Sequence, residues 1–159
     1  MKKSLKLIVS ILLLASVAAC GGGGSSNSSS TSSWATTSGS DAVTALQVTD
    51  NVVGTGTPVV AGDTLTVNYT GWLYQTGDAN FEGSEFDSTS GGSPYTFVVG
   101  EGNVIAGWDQ GLIGMQVGGT RTLIIPSSLA YGPNGYGAIP GGAALVFTVQ
   151  LVSATAPAQ

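Results

Sequence analysis

Side chains able to do covalent or proton-transfer chemistry are scarce in this sequence. It contains no histidine, and Cys20 is its single cysteine. A Ser-His-Asp or Cys-His nucleophile, a histidine-rich metal site and an intramolecular disulfide are thereby excluded, so any chemistry must work without those tools. One aromatic residue stands out by its setting. Trp108 lies in Asn103-Met115, where Ile105, Trp108, Leu112 and Met115 recur at steps of three and four. That spacing puts the four on one face of a short helix, and the face must be buried. Three glycines in so short a run disfavour helix by roughly 1 kcal/mol each relative to alanine, so this helix forms because it docks on a sheet. Trp108 is then either a core anchor for the helix or the base of a binding site.

The elements that position it come from one ordinary domain. A chain of 159 residues has room for no more, and its N-terminal portion does not belong to it. Lys2, Lys3 and Lys6 sit at the extreme start, leaving Arg121 as the only basic side chain beyond Cys20. Cleaved before Cys20, the chain carries 1 cation against 9 carboxylates, a net charge of −8. Nucleic acid is excluded as a partner, because neutralising phosphates needs clustered Lys and Arg. Arg121 is expected to pair with a surface carboxylate.

The first 19 residues read as a signal peptide. A basic start, Met1-Lys6, precedes a run of mostly apolar residues, Leu7-Ala19, which is too short for a membrane span of about 20 residues. Val17-Ala18-Ala19-Cys20 resembles the lipobox of bacterial lipoproteins, in which the cysteine is acylated and becomes the new N-terminus. That resemblance implies a lipid-anchored, extracytoplasmic protein, and Gly21 after the cysteine resembles the export pattern to an outer membrane. Several acyl chains, at roughly 0.8 kcal/mol per buried methylene, make such anchoring effectively permanent. Residues 20–41 are nearly all Gly, Ser, Thr and Asn, and are expected to form a flexible tether spanning about 25 Å. Trp34 within it has no account at this level.

From Val43 the pattern turns β-like. Thr64-Thr70 alternates, with Leu65, Val67 and Tyr69 on one face; Tyr95-Val99, Thr120-Ile125 and Ala143-Val152 also read as strands. Many strands with one short helix predict an α+β domain over 42–153, an antiparallel sheet wrapped around that helix, with 154–159 as a tail.

Five blocks then carry a resemblance: Val67-Asn68-Tyr69-Thr70-Gly71, Phe86-Asp87-Ser88-Thr89, Val104-Ile105-Ala106-Gly107-Trp108, Leu129-Ala130-Tyr131-Gly132 and Leu145-Val146-Phe147. In this order they closely resemble the FKBP-type peptidyl-prolyl cis-trans isomerases. The resemblance implies an apolar pocket between sheet and helix, with Trp108 as its floor. Tyr69, Phe86, Asp87, Ile105, Trp108 and Tyr131 would be the catalytic set, and Tyr95, Phe97, Val104, Ile139 and Phe147 further substrate-binding positions. It implies neither cofactor nor metal, a monomer acting on proline-containing polypeptides, and binding of macrolide inhibitors. Three departures accompany it: a longer Tyr69-to-Phe86 span with Gln75-Gly83 as a surface loop, a shorter Pro133-Pro140 loop, and Gly91-Gly92 where relatives often place a basic residue near the Asp.

Such a pocket suits this chemistry. Rotation about an X-Pro bond crosses roughly 18–20 kcal/mol because amide conjugation is lost, yet no covalent bond changes. The planar amide is better hydrated than the twisted transition state, so a dry aromatic pocket disfavours the start more than the summit. By the same resemblance, the Ile105 N–H and the Tyr131 hydroxyl would hold the carbonyls flanking the proline. Duller readings stand beside these: Asp87 as a turn cap before Ser88 and Thr89, Tyr69 and Tyr131 as rim tyrosines, Glu101 and Asp109 as solvated helix-start charges. A binding module holding prolyl segments would use the same walls as an isomerase.

Overall fold

The computed structural model describes residues 33–157. Six strands form one antiparallel sheet: β1 (Gln47–Val52), β2 (Thr64–Tyr74), β3 (Glu82–Ser88), β4 (Tyr95–Val98), β5 (Thr120–Ile125) and β6 (Leu145–Thr155). The order is β1-β5-β6-β2-β3, and β4 takes the Thr64–Val67 stretch of the β2 edge that β3 leaves open. The expected antiparallel α+β architecture is therefore present. Alternation along the long strands sets the inner face: Leu65, Val67 and Leu73 of β2, Leu123 and Ile125 of β5, and Leu145, Phe147, Val149 and Leu151 of β6 are buried in one cluster.

The helix predicted over Asn103-Met115 contracts to α2 (Ala106–Gly111). Trp108, Leu112 and Met115 are nonetheless buried together, because the turn after α2 carries the last two into the core. The glycines explain the docking. A Cβ on Gly107 would lie 2.3 Å from Ile125 Cγ2, and one on Gly111 would lie 2.8 Å from Leu123 Cδ2. One turn apart on the buried face, they let the helix backbone press directly onto β5. Packing thus decides against propensity.

Arg121, pointing inward from β5, fastens the far end of α2. Its Nη1 donates to the carbonyls of Gly111 (2.8 Å) and Ile113 (3.0 Å), while Nε and Nη2 donate to the Asp50 carboxylate at 2.6 and 3.1 Å. The expected carboxylate pairing is found, with carbonyl capping added to it.

Two boundaries differ from expectation. The leader, Cys20 and residues 21–32 lie outside the described residues, but the second half of the expected tether is folded. Helix α1 (Ser33–Ser38) and a 3-10 turn, Ser40–Ala42, bury Ala35, Ser38 and Ser40. The Ser38 carbonyl accepts from the Thr76 N–H, Trp34 packs against the inner core, and Val43 packs with Tyr74, Ala144 and Val146 on the outer face. This strap therefore clasps both faces of one end of the sheet, which accounts for Trp34 and gives the described residues two short α-helices rather than one. At the other terminus, Ala154 and Thr155 pair with Leu65 and Thr64 as part of β6, not as tail. Among the described residues no helix is long and apolar enough to cross a membrane.

Candidate active site

A cleft of about 300 Å³ opens between α2 and the inner face of β2, β3 and β6. Trp108 forms its base and is only 4% exposed. Tyr69 and Phe147 meet the indole edge-on, with ring centroids 5.0 and 5.2 Å away and interplanar angles of 85° and 83°. Phe86 stands edge-on to Phe147 at 5.6 Å. These T-shaped contacts fix the ring orientations. Gly71 makes the arrangement possible, since a Cβ there would lie 2.6 Å from Phe147 Cε1 and 2.9 Å from Phe86 Cζ.

Phe86 and Asp87 both line the cleft although they are consecutive on a strand. Simple alternation would send them to opposite faces. The ladder resolves this: Gly71 pairs with Asp87 while Trp72 pairs with Glu85, so Phe86 is the extra residue of a β-bulge. Bulges re-aim side chains in this way.

The Asp87 carboxylate accepts a hydrogen bond from the Tyr69 hydroxyl at 2.5 Å. The turn cap is made instead by Ser88, whose Oγ accepts from the Ser90 N–H, while Thr89 Oγ1 accepts from the Tyr69 N–H of β2. Burial, then the bond to Asp87 and its charge, push the Tyr69 phenol well above its ordinary value. Burial and the same carboxylate raise Tyr131. Both phenols are therefore neutral near pH 7. The Tyr131 hydroxyl and the Ile105 backbone N–H line or border the cleft without a hydrogen-bond partner among the described residues, and so stand as free donors.

Tyr95, Val104 and Ile105 also line the cleft, as the resemblance implied. Two expected positions do not. Phe97 is 6% exposed and lies behind the indole, its ring 5.5 Å from Trp108 and stacked 5.5 Å from Tyr95. Ile139 is drawn into the core because residues 136–139 close into a tight bridge, with hydrogen bonds between Tyr136 and Ile139 in both directions.

The sequence profile described as FKBP-type peptidyl-prolyl cis-trans isomerase matches residues 56–152, more than half of the chain. The chain belongs to this family. FK506-binding protein 4 of Gibberella zeae is 43% identical over 115 residues, covering 72% of this chain and 22% of that protein. FK506-binding protein 2 of Aspergillus oryzae is 49% identical over 94 residues, covering 58% of this chain and 66% of that protein. The chain spans about a fifth of the length of the first curated relatives it matches. Among solved structures, AtFKBP13 superposes with a TM-score of 0.59 at 38% identity, covering 68% of this chain and 91% of that one. FkpA from Escherichia coli gives 0.62 at 36% identity, covering 71% and 49%.

Sequence reasoning missed one lining residue of this FKBP-type site and one residue that holds the loop leading to it. Asn103, read only as the start of the helical stretch, lines the cleft. Asp109, read as a solvated helix-start charge, instead accepts from the Gly100 N–H at 2.8 Å and the Gly102 N–H at 3.0 Å. Both glycines have positive φ, 85° and 72°, so the loop entering α2 folds back over the carboxylate. The signal was there in two glycines just before an acidic first turn, but a loop folding back is not legible from spacing alone.

Proposed function

We propose that the chain is a peptidyl-prolyl cis-trans isomerase acting on prolyl bonds of proteins outside the cytoplasm. The observation that carries this reading is the cleft itself: an indole base, edge-on aromatic walls and free hydrogen-bond donors at the rim. A prolyl ring seated on Trp108 is held by Tyr69, Phe86 and Phe147, and the amide it carries leaves water. The Ile105 N–H and the Tyr131 O–H donate to carbonyls flanking the proline and hold the segment in the turned form in which the bond twists. The Tyr69 bond to Asp87 keeps one wall fixed, which is preorganisation rather than acid-base chemistry. A ten-thousandfold acceleration requires about 5.5 kcal/mol, within reach of desolvation plus two or three oriented hydrogen bonds.

The same cleft is proposed to accept macrolide inhibitors, in line with the names of the FK506-binding relatives. Extracytoplasmic placement rests on the apolar run Leu7-Ala19 and the lipobox-like Val17-Ala18-Ala19-Cys20, with Cys20 as the acylated residue on a bacterial membrane. The deciding experiment is a proline-peptide isomerisation assay on the purified chain. Acceleration over the spontaneous rate, abolished by a macrolide, is expected; a folded chain that leaves the rate unchanged rules the enzyme reading out. Mass spectrometry of the mature N-terminus tests the anchor.

A further inference from the structure

Tyr69 and Tyr131 both line the cleft, but they are held very differently. Tyr69 meets three other rings, those of Tyr95, Trp108 and Phe147, and its hydroxyl is bonded to Asp87. The Tyr131 hydroxyl has no hydrogen-bond partner among the described residues. Its backbone caps the short 3-10 turn Gly132–Asn134, so neither a strand nor an α-helix fixes its direction. Beyond its packing on the core, one ring meets it: Tyr136, nearly parallel at 16° with centroids 5.5 Å apart. At that separation the two rings are offset, an arrangement that aromatic pairs prefer.

Burial does not explain why Tyr136 is aromatic. It is 71% exposed and does not line the cleft. The loop is nonetheless built around it. Gly135 and Gly137 flank it with positive φ of 71° and 56°, and a Cβ on Gly135 would strike the Ile139 carbonyl oxygen. Tyr136 and Ile139 exchange backbone hydrogen bonds of 3.0 and 2.9 Å, and Ile139 is buried in the core. The Gly142 N–H donates to the Gly132 carbonyl at 2.9 Å and closes the base of the loop. An exposed ring is thereby tied to the core and laid against Tyr131.

We propose that Tyr136 is a positioning residue for the isomerase reaction, its ring backing Tyr131 so that the Tyr131 hydroxyl stays presented to the cleft. The inference deepens the isomerase reading and rests on it. Without the stack, Tyr131 is free to turn to other rotamers, and the fraction of chains with this donor in place falls. An aromatic pair of this kind shifts such a balance by about 2- to 13-fold, and kcat/KM falls by up to that factor.

The test measures kcat/KM for one proline tetrapeptide on the full chain, with thermal melts to show that each variant is folded. Tyr136→Ala is expected to lower kcat/KM by about 2- to 13-fold, and by no more than Tyr131→Phe does. Tyr136→Phe keeps the stacking face and is expected to restore most of the native rate. In the Tyr131→Phe chain, adding Tyr136→Ala is expected to cost less than about twofold more, because the hydroxyl it positions is already gone. Should the alanine variant not fold, Tyr136→Leu takes its place, with apolar bulk kept, the ring lost and the same fall expected. A folded variant without the ring that runs at the native rate overturns the positioning role and leaves the isomerase reading standing. So does a fall of the same size with and without the Tyr131 hydroxyl, because Tyr136 then acts elsewhere. A native chain that accelerates no peptide removes both.

Discussion

Tyr69 and Asp87, eighteen residues apart in the chain, are joined by a 2.5 Å hydrogen bond that ties the wall supplied by β2 to the bulge of β3. Removing either partner frees the other. Tyr69→Phe keeps the ring that packs on Trp108 and loses only the hydroxyl, so it is expected to lower kcat/KM for a proline peptide by about tenfold or less, in line with the loss of roughly 1–1.5 kcal/mol for one hydrogen bond. Asp87→Asn should act in the same direction. Peptide assays on both single variants and the double variant check this: partners in one bond give a double variant little worse than either single.

The indole is the irreplaceable part. Trp108→Ala is expected to abolish measurable acceleration and to destabilise the domain by about 3–5 kcal/mol, since it empties a position ringed by Tyr69, Phe97 and Phe147. Trp108→Phe separates the two effects, because it retains most of the packing. Denaturant melts alongside peptide rates make the comparison.

Asp109 acts at one remove from substrate. Asp109→Ala is expected to release the Gly100 and Gly102 amides, raise their hydrogen exchange and loosen the loop that delivers Val104 and Ile105 to the cleft. Activity should fall with a modest loss of stability, on the order of 1 kcal/mol. A purely structural role would change melting without moving KM, so KM and kcat are read separately.

Gly107 and Gly111 test the docking of α2. Gly107→Ala is expected to cost about 1–3 kcal/mol despite better helix propensity, because its Cβ would lie 2.3 Å from Ile125 Cγ2. Gly111→Ala, facing the movable end of Leu123, should cost less. Thermal melts of the two variants give the order.

High pH provides an independent check on Tyr69. Its folded-state phenol titrates above its ordinary value of 10.0, so the stabilisation is complete below about pH 10 and is lost as pH rises toward the folded-state value. Unfolding free energy measured above pH 10 should fall in the native chain and fall less steeply in Tyr69→Phe.

Much of this was legible in the sequence, and the misses share a cause. Four of the six strands and the inward sets around Leu65 and Phe147 followed from alternation, and nine lining positions from family resemblance, while β1 was not separated from the β-like stretch after Val43. Trp34 was opaque because its polar surroundings masked a short strap whose partners, Leu73 and the sheet end, lie far along the chain. Phe97 and Ile139 have apolar types that suit a lining and a core equally well; only their neighbours separate the two. Strand β3 escaped because Glu82–Ser88 does not alternate, and two register shifts against β2 are the reason, one at Phe86 and one between Glu82 and Glu85.

The extra residue at Phe86 makes the two ends of β3 unequal targets for engineering. The loop before the strand, residues 75–81, tolerates insertion only at its tip around Gly77, where a side chain would meet nothing, because Thr76 bonds the Ser38 carbonyl and Gln75 bonds the Phe81 carbonyl; there, doubling a loop adds only about 0.6 kcal/mol of closure entropy. Deleting one residue at the Phe86 step would instead remove the bulge and leave one inward position where Phe86 and Asp87 now share the cleft. The shortened strand could then offer the pocket an aromatic wall or an acceptor for Tyr69, but not both.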